Sequence, residues 1–75
     1  MLYEEVLELL QKDFSDIDFT SSETLVDDGI LDSLTVIEII SELCMSFDVL
    51  FPQEEIRSDN FNSVCAMAAL VEKYR

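Results

Sequence analysis

The sequence contains no histidine or tryptophan, and only one glycine and one proline. Without histidine, no serine–histidine or cysteine–histidine couple can activate a nucleophile. One glycine cannot form a glycine-rich loop that cradles phosphate groups. The scarcity of glycine and proline also argues against a turn-rich β-sandwich or barrel, and against a disordered chain. These absences point away from an enzyme and towards a helical domain.

Basic residues are scarce as well, since four Lys and Arg stand against seventeen Asp and Glu, for a formal net charge of −13. Such a surface repels the phosphates of nucleic acids and anionic lipids, so neither is expected as a partner. It favours encounter with proteins that carry basic docking patches. The alternative is that the acidic residues only keep the protein in solution.

Sites for metal ions find little support in the sequence. Cys44 and Cys65 stand alone rather than in pairs with zinc-ligand spacing. Both lie in apolar helical patterns, which favours small core residues over disulfide partners. A calcium-binding loop starting at Asp16 would place Ser21 where the turn glycine is required. A small hydrolytic or metal-binding protein, built on the many carboxylates, is the weakest alternative.

The length of 75 residues predicts one domain over 1–75. A chain of this size hides only about 60% of the surface that its unfolded form exposes, so a thin core is expected. No apolar run approaches the ~18 residues of a membrane-spanning helix. Residues 2–5 lack the basic start and apolar stretch of a signal peptide. We therefore expect a cytoplasmic monomer without membrane insertion.

Apolar residues at steps of three and four predict an all-α fold, a four-helix bundle with three main helices and one short helix. A long loop separates the first two helices. The predicted segments, in chain order, are a helix over about 2–13, a helix from Ser33 to about Phe47, a short helix or two turns over 53–61 anchored by Ile56 and Phe61, and a last helix capped by Asn62 or Ser63.

The loop over 14–32 is rich in Ser, Thr and Asp, with a turn signal at 27–29. Loops this long in small domains tend to be either functional or disordered. Apolar residues within it argue against disorder, because they can pin the loop to the core. The expected anchors are Ile17, Phe19, Leu25 and Val26.

The segment Asp32-Ser33-Leu34 places a hydroxyl where the second helix begins. Ser is a favoured N-cap, so a purely structural cap is one interpretation. A phosphodiester on Ser33 would instead lie among free backbone N–H groups at the positive end of the helix. No residue of the chain is suited to deprotonate the hydroxyl, so Ser33 would be the substrate of another enzyme. Asp32 would either orient that enzyme's metal or basic groups, or only complement the helix dipole.

Over nearly its whole length the sequence resembles the acyl carrier proteins, the phosphopantetheine-binding family. The resemblance rests on the first helix, the acidic loop, Asp32-Ser33-Leu34, Glu38 one turn on, Phe47, Pro52 and the turn over 54–56. It implies a non-catalytic carrier whose Ser33 bears 4′-phosphopantetheine, the thiol of which holds an acyl or aminoacyl cargo as a thioester. An acidic interaction domain of the same fold that is never modified is the alternative.

The resemblance also implies three classes of partner. A holo-carrier-protein synthase, which is a phosphopantetheinyl transferase, takes the arm from coenzyme A with the help of magnesium. A loading ligase or acyltransferase supplies the cargo, and a downstream transferase or synthase receives it.

By the same resemblance, the second helix docks these partners. Ser33, Ile37 and Ser41 are spaced by four and share one face below the attachment point. Ile37 lies off the core stripe, which favours an exposed contact over a core position. Glu38 and Glu42 flank Ile37 and could contact basic residues of a partner. The alternative is that they only form a solvated helix face. The expected docking residues are Leu34, Ile37, Glu38, Ser41 and Glu42.

Two features differ from the fatty-acid type of carrier. Its junction usually reads Gly-x-Asp-Ser, whereas 29–33 reads Gly-Ile-Leu-Asp-Ser and is one residue longer. Thr35, Cys44 and Met45 stand where acids are common in that type. The longer junction and the segment 60–64 resemble D-alanyl carriers and other specialised carriers that act beside a dedicated ligase. The sequence therefore favours a specialised carrier over a housekeeping fatty-acid carrier.

Overall fold

Apolar residues at helical spacing form four α-helices in the computed structural model, which describes residues 2–75. Helix α1 spans Tyr3–Asp13, α2 spans Ser33–Phe47, α3 spans Ser58–Phe61 and α4 spans Val64–Tyr74, with a one-turn 3₁₀ helix at Gln53–Glu55 before α3. No β-strand occurs in this part of the chain. The predicted all-α bundle, with three main helices, one short helix and a long first loop, is confirmed.

Helices α1 and α4 pack along each other and supply much of the core. Each contributes residues spaced by three or four, such as Val6 and Leu10 in α1 and Met67 and Val71 in α4, all of them fully buried. Helix α2 adds Ile39 and Leu43, while three more of its predicted core residues are half-buried, namely Val36, Ile40 and Phe47. Burying one side chain of this kind stabilises the fold by about 1.5–3 kcal/mol.

The loop over 14–32 is held to the core by its apolar residues. Phe19 and Leu25 are fully buried, and Ile17 and Val26 pack against the core in half-buried positions, so all four predicted anchors are in place. A fifth anchor, Leu31, is 1% exposed and comes directly before the start of the candidate site. The loop therefore fixes the position at which α2 begins.

Two core predictions were wrong. Ile56 is 40% exposed because the segment 53–61 divides into two short turns. Ile56 lies between them, outside helical geometry, and its side chain does not follow the helical repeat. Cys65 is exposed because it lies one position away from the buried face of α4, which begins at Val64. Cys44 is half-buried.

Helix α2 ends at Asp48, which has left-handed backbone angles of φ 55° and ψ 52°. Its N–H and the N–H of Val49 both donate to the carbonyl of Cys44, so this residue closes the last turn of the helix. Asp48 is the one non-glycine residue with a positive φ among residues 2–75. No helix in this range combines the length and the apolar character that crossing a membrane requires.

Candidate functional site

The start of α2 is capped by Asp32 rather than by Ser33. Asp32 has extended backbone angles, and its Oδ1 accepts a hydrogen bond of 2.8 Å from the N–H of Thr35. That bond lowers the pKa of the Asp32 carboxyl. The interpretation of Ser33 as a purely structural N-cap was wrong, because the carboxylate one residue earlier fills that role.

Ser33 is instead the first residue of the helix, and its side chain is exposed. None of the side-chain hydrogen bonds within residues 2–75 involves its hydroxyl. The backbone around it is well fixed, because Leu31 is buried two residues earlier and the N–H of Val36 donates to the carbonyl of Asp32 at 2.9 Å. Ser33 therefore presents a free hydroxyl from a rigid position.

An open apolar groove of about 520 Å³ lies beside this hydroxyl. Its lining combines residues of α2, of the segment around α3 and of the long loop. Ile56, which lies between the two short turns, is one of these lining residues. The lining residues are Val26, Gly29, Leu31, Asp32, Ser33, Val36, Ile37, Ile40, Ile56, Arg57, Ser58 and Phe61.

Most of the predicted docking residues share the exposed face of α2. Leu34 is 67% exposed and Ile37 is 62% exposed, so the prediction that Ile37 avoids the core is confirmed. Glu38 and Ser41 are also exposed. Met45, which is 76% exposed, extends this face by one further turn. Sequence reasoning missed it, although the spacing of four from Ser41 would have found it.

Glu42 lies away from that face. It is half-buried, and the Asp13 carboxylate at the end of α1 raises its pKa through a shared hydrogen bond and like-charge repulsion. The structure thus places Glu42 beside α1, whereas Leu34, Ile37, Glu38 and Ser41 point into solvent.

Loop residues near the site form a second polar cluster. The Asp28 carboxylate accepts hydrogen bonds from the hydroxyls of Ser22 at 2.6 Å and Thr24 at 2.8 Å, which lower its pKa. Gly29 then adopts a φ of 78°, a conformation that residues with a Cβ rarely adopt. These contacts shape the turn that leads the chain to Asp32. Within residues 2–75, no three His, Cys, Asp or Glu side chains come together as a metal site.

Comparison with known proteins identifies the family. D-alanyl carrier proteins of Streptococcus pyogenes serotype M5 (strain Manfredo), serotype M49 (strain NZ131) and serotype M1 are each 37% identical to this chain over 71 residues. The alignments cover 93% of this chain and 90% of each relative. The chain belongs to the carrier protein family, in its D-alanyl type. Neither a family model nor a solved structure matches it.

Membership of this family assigns the chain a carrier function and implies that it is not itself a catalyst. The resemblance to carrier proteins that the sequence indicated is therefore confirmed, including its specialised type.

Proposed function

We propose that this protein carries a D-alanyl group as a thioester on a 4′-phosphopantetheine arm attached to Ser33. The observation that supports this most directly is the Ser33 hydroxyl, which is exposed, unbonded and held at the first position of α2. The residues present suit the arm, because the groove beside Ser33 leaves room for a tether to leave the surface. The arm supplies a thiol at the end of a flexible chain.

Attachment of the arm is proposed to use Ser33 as a substrate group. Its oxygen forms the new phosphorus–oxygen bond, and the pyrophosphate bond of coenzyme A breaks to release adenosine 3′,5′-bisphosphate. The proton must pass to the synthase, because the neighbouring carboxylate of Asp32 has a lowered pKa and is a poor base. We propose that Asp32, being exposed and ionised, helps to orient the metal or basic groups of that synthase.

The exposed face of α2 is the proposed docking surface for the synthase, for the loading ligase or acyltransferase, and for the downstream transferase or synthase. Leu34 and Ile37 offer apolar contact next to the attachment point, while Glu38 offers a charge for basic residues of the partner. Ser41 lies one turn below Ile37, and Glu42 borders the surface on the side of α1. Loading is proposed to take place in the cytoplasm.

The first test is attachment of the arm. The unmodified protein is incubated with coenzyme A, magnesium and a broad-specificity phosphopantetheinyl transferase, and its intact mass is measured. We expect a gain of one phosphopantetheine, and no gain for Ser33→Ala. The proposal fails if this chain keeps its mass while a known carrier protein in the same tube is modified.

The second test concerns the cargo. The modified protein is incubated with ATP, D-alanine and a ligase that loads D-alanine onto carrier proteins. The expected result is a further gain of one alanyl group that hydroxylamine removes, as it does from thioesters. Parallel reactions with L-alanine and with acyl-coenzyme A plus an acyltransferase serve as controls. Preferential loading of either control cargo would overturn the D-alanyl assignment and leave the arm intact.

The alternative function is an interaction domain that is never modified, which the exposed apolar face of α2 would also suit. Intact mass of the protein isolated from its native cells distinguishes the two. A population that is mostly modified excludes this alternative, and a population without the arm excludes the carrier function of Ser33.

A further inference from the structure

The groove beside Ser33 is lined by residues of opposite charge. Among residues 2–75, two of its lining residues are charged, Asp32 and Arg57. The whole chain has four Lys and Arg, so a cation in this position is notable for a protein of net charge −13. The other three lie elsewhere. Lys73 pairs with Glu55 at 2.6 Å, Lys12 is in the last turn of α1, and Arg75 follows α4.

The N-terminal end of α2 does not by itself balance the negative charge of a phosphodiester on Ser33, so a cation nearby would stabilise it. The N–H of Thr35 already donates to Asp32, so part of the N-terminal end of α2 is in use. The ionised Asp32 would also stand one residue from the new negative charge, and like charges at such short separation repel each other. A nearby cation offsets that repulsion.

Arg57 is placed to supply the cation. Its backbone is fixed in the lining of the groove, because its N–H donates to the carbonyl of Glu55 at 2.9 Å and its carbonyl accepts from the N–H of Asn60 at 3.1 Å. Its side chain is 59% exposed and, among residues 2–75, has one charged partner, Asp59, with Nε and Oδ1 3.3 Å apart. An ion pair as exposed as this one is weak. The planar guanidinium can exchange it for two parallel hydrogen bonds to phosphate oxygens.

We propose that Arg57 binds the phosphodiester of the arm on Ser33, releasing Asp59 and holding the base of the arm against the groove. This role of Arg57 presupposes the arm on Ser33 that is proposed above. Arg57 is thus a positioning residue, since the chemistry of the cargo takes place at the far end of the arm.

Magnetic resonance on the whole protein tests this contact from both sides. The ¹⁵N–¹H signal of the Arg57 Nε–Hε group is followed before and after the arm is attached, and the ³¹P signal of the phosphodiester is compared between variants. We expect the Arg57 signal to move on attachment. The ³¹P signal should shift in Arg57→Gln and stay closer to that of the unchanged protein in Arg57→Lys, which keeps the charge.

Two further variants separate a contact from a general effect of charge. Arg75→Gln removes the same charge outside the groove, and its ³¹P signal should match that of the unchanged protein. Asp59→Asn frees Arg57 from its partner and should move the ³¹P signal in the direction opposite to Arg57→Gln. The difference between the Arg57→Gln variant and the unchanged protein should shrink at about 1 M salt, where charges are screened within ~3 Å.

The outcomes distinguish this proposal from the proposed function. A protein that gains the arm, yet shows the same ³¹P signal in Arg57→Gln as in the unchanged chain, overturns the contact and leaves the carrier function in place. Equal shifts in Arg57→Gln and Arg75→Gln overturn it as well. A chain that never gains the arm disproves the modification of Ser33, and the contact with it.

Discussion

Helices α2 and α4 begin with the same capping bond, but the residue that follows the cap has opposite surroundings. In α2 the Asp32 carboxylate accepts the N–H of Thr35 at 2.8 Å, and in α4 the Ser63 hydroxyl accepts the N–H of Ala66 at 3.0 Å. The next residue is the exposed Ser33 in the first case and the buried Val64 in the second. A serine that caps a helix has its oxygen engaged, whereas a serine placed after an aspartate cap keeps it free.

Like the Ser63 hydroxyl, the polar groups of Asn62 beside it are engaged in structural hydrogen bonds. Asn62 is 8% exposed, and its Oδ1 accepts from the N–H groups of Val26 at 2.9 Å and Asp27 at 3.1 Å. Its Nδ2 donates to the Asp27 carboxylate, and its carbonyl accepts from Leu25. The start of α4 thus holds the long loop in place. The loop in turn sets where α2 begins and where Ser33 lies.

The largest expected difference is between the two serines. Ser33→Ala should abolish attachment of the arm and change the free energy of unfolding by less than about 0.5 kcal/mol, because the hydroxyl is exposed and unbonded. Ser63→Ala should leave attachment intact and destabilise the fold by about 1 kcal/mol through loss of the cap. Intact mass and denaturant unfolding measure the two effects. The comparison breaks down if Ser63→Ala blocks attachment, or if Ser33→Ala is the more destabilising variant.

Asn62→Ala should cause the largest loss of stability at the start of α4. It leaves the N–H groups of the half-buried Val26 and the exposed Asp27 without their acceptor. A fully buried group left unpaired costs about 1–3 kcal/mol, and water can reach these two in part. We expect a loss of about 1–2 kcal/mol in the free energy of unfolding, measured in urea. Asn60→Ala, which removes the two amide hydrogen bonds to Glu55 outside the loop, is the matched control. An effect no greater than that of the control would show that Asn62 does not hold the loop.

Asp32→Asn separates the capping role of Asp32 from its proposed role in orienting the metal or basic groups of the synthase. Asn caps helices about as well as Asp, so the melting temperature should change little. The rate of arm attachment should fall by about tenfold, because the charge that orients the metal of the synthase is lost, an effect typical of residues that act on a metal indirectly. Single-turnover rates with the synthase measure this effect. An unchanged rate would leave Asp32 with a capping role alone.

The smallest expected effect concerns Glu55, whose carboxylate binds α4. Oε2 accepts from Lys73 Nζ at 2.6 Å and from the Tyr74 hydroxyl at 2.7 Å, and these bonds, that of Lys73 first, lower the pKa of Glu55 from 4.5 to about 2. Because the pKa is lower in the folded state, this contribution is complete above about pH 4.5 and is lost as the pH falls towards about 2.

The matching measurement is the difference in melting temperature between the unchanged protein and Glu55→Gln. We expect the unchanged protein to melt higher near neutral pH and the difference to shrink below about pH 4.5. Repulsion among the acidic residues weakens in both proteins as the pH falls, so its effect cancels in the difference between their melting temperatures. A difference that stays constant down to pH 2 would assign the effect of Glu55 to packing alone.

Local patterns in the sequence predicted the helices and the exposed Ile37, because each depends on neighbours within a few positions. The proposed role of Ser33 came instead from the resemblance to carrier proteins over nearly the whole chain. The cap of α2 was misassigned since Asp32 and Ser33 are equally good N-caps by type, and only the backbone angles decide between them. The exposure of Ile56 depended on where the segment 53–61 divides, which helical spacing does not reveal.

Local sequence patterns could not predict contacts between residues far apart in the chain. The bonds from Asn62 to Val26 and Asp27 join residues 35 or 36 positions apart, and no local repeat encodes them. The same holds for Arg57, which reaches the groove of Ser33 only because the segment before α3 folds back opposite α2. A search for lone cations in an acidic chain would have singled it out as a candidate.

The left-handed backbone of Asp48 at the end of α2 is a position where a substitution should stabilise the fold. A residue with a Cβ is strained in this conformation by about 1 kcal/mol, and an acid is unfavourable beside the negative end of a helix. Glycine relieves both, so Asp48→Gly should give a sturdier scaffold. Since Asp48 and Ser33 are at opposite ends of α2, such a variant should resist unfolding better and still accept the proposed arm at Ser33.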